Sequence, residues 1–137
     1  MDWLECKNRR MAREASPDEG MIRSLIKSSN NKLESGRRLV MSDVTASSKL
    51  SLAYDSLREL LEALALSKGF KIYNHECYSA FLKDVMGSSD KADDFDVIRR
   101  VRNSVNYYGK ELGKEEASDI IGRATGLRSF VSSELKH

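Results

Sequence analysis

From Ser42 to Lys68 the chain carries neither glycine nor proline. Within that run Leu50, Ala53, Tyr54, Leu57, Leu60, Leu61, Leu64 and Ala65 recur at helical spacing and fill one broad face. A strand, whose side chains alternate with period two, has no use for such a pattern. The spacing predicts a long helix that starts near Ser42 or Asp43 and ends at Gly69. Its apolar face is wide enough to be packed by several neighbours.

The flanking sequence supplies those neighbours. "SPDE" at Ser16 to Glu19 has the form of a capping box, with Ser16 as N-cap, Pro17 in the first turn and Glu19 reaching back. Ile22, Leu25, Ile26, Leu33 and Val40 follow it at helical spacing. Asn74 is placed to cap a short helix from His75 to Met86, closed by Gly87. The acids of "SSDKADD" open a further helix that ends at Tyr107 or Tyr108, before Gly109. A last helix carries Ala117, Ile120, Ile121, Ala124, Leu127, Val131 and Leu135. No stretch reads as a strand. The expected fold is all-α, a five-helix up-and-down bundle over residues 16–137. Residues 1–15 form a loosely packed arm with Trp3 and Leu4 as its anchors.

Composition narrows the function. With 32% charged and 40% hydrophobic residues the chain is globular rather than disordered. A net charge of +2 creates no whole-molecule field for nucleic acid, so any basic site is local. Cys6 and Cys77 are far apart and lack metal-site spacing; they read as free thiols of a reducing compartment. The opening residues hold no apolar signal-peptide core. The run from Leu60 to Leu66 is broken by Glu62 and too short to cross a bilayer. The expectation is a cytoplasmic protein with no membrane contact.

The local basic site is "RRVRNSVNYYGK", Arg99 to Lys110, with three arginines, a lysine and no acid. Bases at the end of a helix that begins with Asp93, Asp94 and Asp96 complement its dipole, at ~0.3–1 kcal/mol each. That alone accounts for the charges. The angular position of the residues asks for more. At about 100° per residue Phe95, Ile98, Val101, Val105 and Tyr108 form an apolar stripe. Arg102 lies just inside the edge of that stripe with Asn106, and Arg99 and Asn103 lie just beyond. A half-buried guanidinium needs a partner. The partner is an acid from another helix, the same site on a second subunit, or a phosphate, which Arg meets with a two-pronged hydrogen bond. Asp55, Glu59 and Glu62 form an acidic face on the central helix, either solvated or turned toward Arg102. Asp55 and Glu62 are the candidate supporting acids. Leu52 and Leu66 flank these acids as a candidate docking surface.

"LAYDSLRELLEALALSKGFKIYNHE" (Leu52 to Glu76) and "RRVRNSVNYYGKELGKEEA" (Arg99 to Ala117) resemble the HEPN domains (higher eukaryotes and prokaryotes nucleotide-binding), in a stand-alone archaeal-looking form. The resemblance spans Ile22 to Leu135. It implies an all-α, usually dimeric protein with an Arg–polar…His motif near the dimer interface. Many members are metal-independent RNases; others are non-catalytic or pair with small nucleotidyltransferases in toxin–antitoxin operons. Arg102 and Asn103 match the first half of the motif. The His position holds Tyr107, Tyr108 or Gly109, according to whether four, five or six residues intervene.

Internal attack on an RNA phosphodiester needs a base. Histidine, titrating near ~6.5, suits that role, whereas a tyrosine hydroxyl near ~10 does not. Losing such a residue costs about 10²–10⁴ in rate. The expectation is therefore a homodimeric RNA- or nucleotide-binding protein, non-catalytic or weakly active, without metal or cofactor. Its site comprises Arg99, Arg102, Asn103, Asn106 and Tyr107, the last able to stack on a base at ~1–3 kcal/mol. Two alternatives stay open. One is an active endoribonuclease with Arg102 and Tyr107 as its catalytic pair. The other is an interaction subunit that docks a small nucleotidyltransferase through the central helix. His75 is read as a capping or packing residue rather than a replacement base, and His137 is terminal. His75, Glu76 and Cys77 are consecutive, point in different directions on a helix, and make no zinc site.

Overall fold

A computed structural model describes residues 1–136. Its elements in chain order are α1 (Trp3–Asn8), β1 (Ala12–Glu14), α2 (Glu19–Arg38), α3 (Ala46–Ser67), β2 (Phe70–Ile72), α4 (Glu76–Ala80), α5 (Ser89–Tyr108) and α6 (Lys114–Leu135). α4 runs into one π-helical turn over Phe81–Val85. The architecture is an all-α helical bundle with α3 at its centre. Leu50, Tyr54, Leu57, Leu61 and Leu64 of α3 are completely enclosed, together with Phe95 and Ile98 of α5 and Leu127 and Val131 of α6.

The starts of α2 and α3 differ from expectation for local reasons. Asp18, not Ser16, caps α2, its Oδ1 accepting from the Met21 N–H at 3.0 Å. A carboxylate caps as well as a hydroxyl, and Pro17 then falls outside the helix. At the start of α3, Ser42 and Thr45 hydrogen-bond one another in a turn, Thr45 N–H to Ser42 Oγ at 3.2 Å, which delays the helix to Ala46. α2 ends at Arg38, so Val40 lies beyond it, in the connection, and is exposed.

α2 covers the side of α3 that carries Leu52, Glu59 and Leu66. Leu66 is only 5% exposed and packs with Ile22, Ala63, Leu25, Ile26 and Leu135. Leu52 is half-buried beside Gly36. Glu59 is buried and paired with Lys32. The docking surface expected on this helix is therefore interior. Hydroxyls set how closely the helices approach here. Ser29 Oγ donates to the Ser56 carbonyl at 2.6 Å, and Ser56 Oγ donates to the Ser29 carbonyl at 2.8 Å. Arg128 of α6 closes the junction, Nε donating to Ser56 Oγ at 2.9 Å and Nη2 to Asn30 Oδ1 at 2.6 Å.

Residues 1–15 are not a loose arm. Trp3 is buried against Phe70 and Phe81, with ring centroids 5.2 and 5.7 Å away. Its backbone N–H donates to Asp84 Oδ2 at 2.9 Å. Leu4, the other expected anchor, is exposed. β1 pairs antiparallel with β2, Ala12 opposite Ile72, Arg13 opposite Lys71 and Glu14 opposite Phe70. Cys6 and Cys77 form a disulfide with both residues fully buried, which replaces the expected free thiols. The reading of a reducing compartment from free thiols loses its basis. Three-residue strands carry too short an alternation to be recognised, and residues this far apart leave no spacing signature. Among the described residues no helix is long and apolar enough to cross a membrane.

Candidate functional site

Gly109 adopts φ +65°, a left-handed conformation that ends α5, and the Lys110 N–H returns to the Ser104 carbonyl at 3.2 Å. The basic end of α5 stands beside the connection between β2 and α4. Together they line an open cavity of about 390 Å³. Tyr73, Asn74, His75 and Glu76 come from the connection; Arg99, Arg102, Asn103 and Tyr107 come from α5. A larger opening of about 510 Å³ lies between residues 14–17 and 68–70, but gathers no histidine or arginine.

The two arginines are incompletely satisfied. The Arg102 guanidinium lies over the Tyr54 ring, 5.0 Å from its centroid, and reaches Asp55 Oδ1 at 4.0 Å, beyond hydrogen-bonding range. Arg99 Nη2 donates to Asp96 Oδ1 at 3.3 Å, and the same oxygen accepts from Ser79 Oγ at 2.6 Å. The Nε of each arginine is buried without an acceptor. An unmatched buried donor of this kind is uncommon and costs about 1–3 kcal/mol.

Of the residues expected at the site, Arg99, Arg102, Asn103 and Tyr107 line the cavity and Asn106 does not. Asp55 stands beside Arg102, whereas Glu62 is held by Arg58 at 3.2 Å and Lys71 at 3.1 Å. Tyr107 is 70% exposed at the rim. Tyr108 is exposed rather than part of the apolar stripe, because the last turn of α5 runs past the core.

The sequence reading left His75 and Tyr54 outside the site. His75 Nδ1 lies 2.9 Å from the Tyr54 hydroxyl. Tyr54 is completely buried and stacks on Phe95 at 5.9 Å. Burial pushes its phenol up to about 12, against the pull of Arg102, Arg99 and Arg58, so the hydroxyl stays protonated. One tyrosine therefore serves two site residues, its ring lying under Arg102 and its hydroxyl holding His75. Burial, then Arg58 and Arg102, hold the His75 imidazole below its ordinary 6.5, against the opposing pull of Asp55. The ring is neutral at neutral pH, with Nε2 left for a ligand.

A pH dependence follows. Below about 6.5 an unfolded chain protonates this histidine, while the folded one resists. Stability from His75 is full above that pH and is lost as pH falls through the lower folded value. Urea unfolding at stepped pH should show a decline on acidification that His75→Gln reduces.

Comparison with family models, curated proteins and solved structures finds no match for this chain.

Proposed function

We propose that this chain binds the phosphates of single-stranded RNA or of a nucleotide, as a HEPN-like protein, through Arg99 and Arg102. The observation that carries this reading is the pair of guanidinium groups with unmatched Nε donors on a cavity that also presents Tyr73, Tyr107 and Asn103. A phosphate oxygen accepts from a guanidinium fork, and the exposed tyrosines offer faces for stacking. Binding of a labelled single-stranded oligoribonucleotide should weaken with salt. The log–log slope is roughly −0.7 for each phosphate contact, about −1.4 for two. Retention that ignores salt would count against the reading.

His75 favours a second reading, metal-independent cleavage. The α5 helix lacks a base, but the cavity holds a neutral imidazole from another element. In the tautomer whose Nδ1–H donates to the Tyr54 oxygen, attack of a ribose 2′-oxygen on its own phosphorus would pass the hydroxyl proton to Nε2. Arg102 would balance the phosphoryl charge. The P–O5′ bond would break, leaving a 2′,3′-cyclic phosphate and a 5′-hydroxyl protonated by Tyr107 or water. Incubation with single-stranded RNA in EDTA should then give these ends, and His75→Ala should lower the rate by about 10²–10⁴. Intact RNA after incubation with the parent protein leaves binding alone.

A cytoplasmic homodimer belongs to the same proposal. A nucleotidyltransferase partner would need a surface other than the buried side of α3.

A further inference from the structure

The four cavity residues Tyr73, Asn74, His75 and Glu76 are bracketed by two attachments to the N-terminal segment. On one side β1 pairs with β2, and the Tyr73 N–H donates to the Met11 carbonyl at 2.7 Å. On the other side, immediately after Glu76, Cys77 is bonded to Cys6. Arg13 adds a third hold, its Nε donating to the Tyr73 hydroxyl at 2.6 Å and its guanidinium lying over that ring. Half of the cavity wall is thus positioned by residues 3–14, which contribute no side chain to the cavity lining.

We propose that the Cys6–Cys77 bond makes this site redox-dependent. Oxidised, it fixes residues 73–76 against α5; reduced, it releases His75 and Tyr73 from their places beside Arg102. The proposal rests on the phosphate-binding reading for its ligand and on the fold alone for its switch.

The weight falls on the disulfide because it is the covalent hold; beside it stand the packing of Trp3 on Phe70 and Phe81, the His75–Tyr54 hydrogen bond and two short elements. α1 has six residues and the β1–β2 ladder three on each side. Elements of that length do not persist by themselves in water. Reduction is an exchange with a dithiol. One thiolate attacks a protein sulfur to give a mixed disulfide, and the second thiol displaces it. The reductant leaves as its own disulfide, and Cys6 and Cys77 take up two electrons and two protons. Both cysteines are fully buried, and Met1 Sδ lies 3.8 Å from Cys77 Sγ. Exchange therefore follows a local opening of α1, the kind of sub-global event that short terminal elements undergo most readily.

The test compares the full chain oxidised, reduced by a dithiol, and re-oxidised. Two quantities are read: the NMR signals of the His75 ring, with His137→Gln removing the second histidine, and the affinity for a fluorescein-labelled oligouridine. Reduction should shift the His75 signals and weaken binding about three- to tenfold, the loss of one or two positioned contacts, and re-oxidation should restore both. Cys6→Ser should show the reduced values whatever the redox state. Arg13→Ala, with the disulfide intact, removes only the third hold, so the oxidised variant should lose less affinity than the parent loses on reduction. Unchanged His75 signals and affinity in a reduced protein of unaltered far-ultraviolet circular dichroism would overturn the proposal, as would an oxidised Arg13→Ala protein that loses as much affinity as the reduced parent. Shifting His75 signals with no oligouridine binding in either state would uphold the switch and remove the RNA reading instead.

Discussion

Arg102→Ala is expected to weaken binding of a single-stranded oligoribonucleotide by about ten- to hundredfold, while leaving the protein folded. The estimate follows from one charge-assisted, two-pronged contact at ~1.5–3 kcal/mol. The fold should tolerate the change because Arg102 is not clamped. Asp55 lies 4.0 Å away and is partly exposed, so solvent can take over its charge. The Tyr54 ring loses a cation above it but keeps its stack on Phe95. Asn106→Ala, on the same helix but outside the cavity, should bind like the parent. Fluorescence anisotropy at fixed salt decides the matter. Equal losses for the two variants would mean that the whole surface of α5, and not the cavity, attracts the nucleic acid.

The second large effect concerns stability. Leu66→Glu should destabilise the protein by about 3–5 kcal/mol, because it puts an unpaired carboxylate among Ile22, Ala63, Leu25, Ile26 and Leu135. Urea unfolding measures it directly. A variant as stable as the parent would mean that this side of α3 faces solvent, as its acids first suggest, and would reopen it as a docking surface. Leu52→Glu should cost less, since that side chain is only half-buried.

These two residues show where the sequence is legible and where it is not. α2, α5 and α6 announce themselves through periodic apolar positions and, for α5, the glycine that ends it. α3 is equally clear as a helix but misleading as a surface. It is enclosed nearly all round, so residues flanking Glu59 look exposed on a helical wheel while α2 covers them. The acid is the deceptive element, because Lys32 on the neighbouring helix neutralises it and allows its burial. Arg99, Arg102, Asn103 and Tyr107 could be read off one helix, with Asp55 as a candidate partner for Arg102. His75 could not, since it reaches the same cavity from a connection whose course depends on β1 and on a disulfide spanning 71 residues. The one available signal was "YNHE", a polar cluster carrying the only histidine ahead of the terminal one.

The anchoring of Trp3 has a consequence for how the chain is made. Its backbone partner, Asp84, is synthesised 81 residues later, and its aromatic partners Phe70 and Phe81 follow α3. The segment around Trp3, made before α2 and α3, is thus later than they are to find its place. Closing so long a loop is slow relative to pairing α2 with α3, whose contacts are nearer in sequence. During that interval an indole and a thiol, both interior in the finished molecule, travel in the open. The half-made chain is accessible to chaperones and to premature thiol chemistry at this segment. The complete cavity exists only after the earlier-made segment has joined residues 70–77.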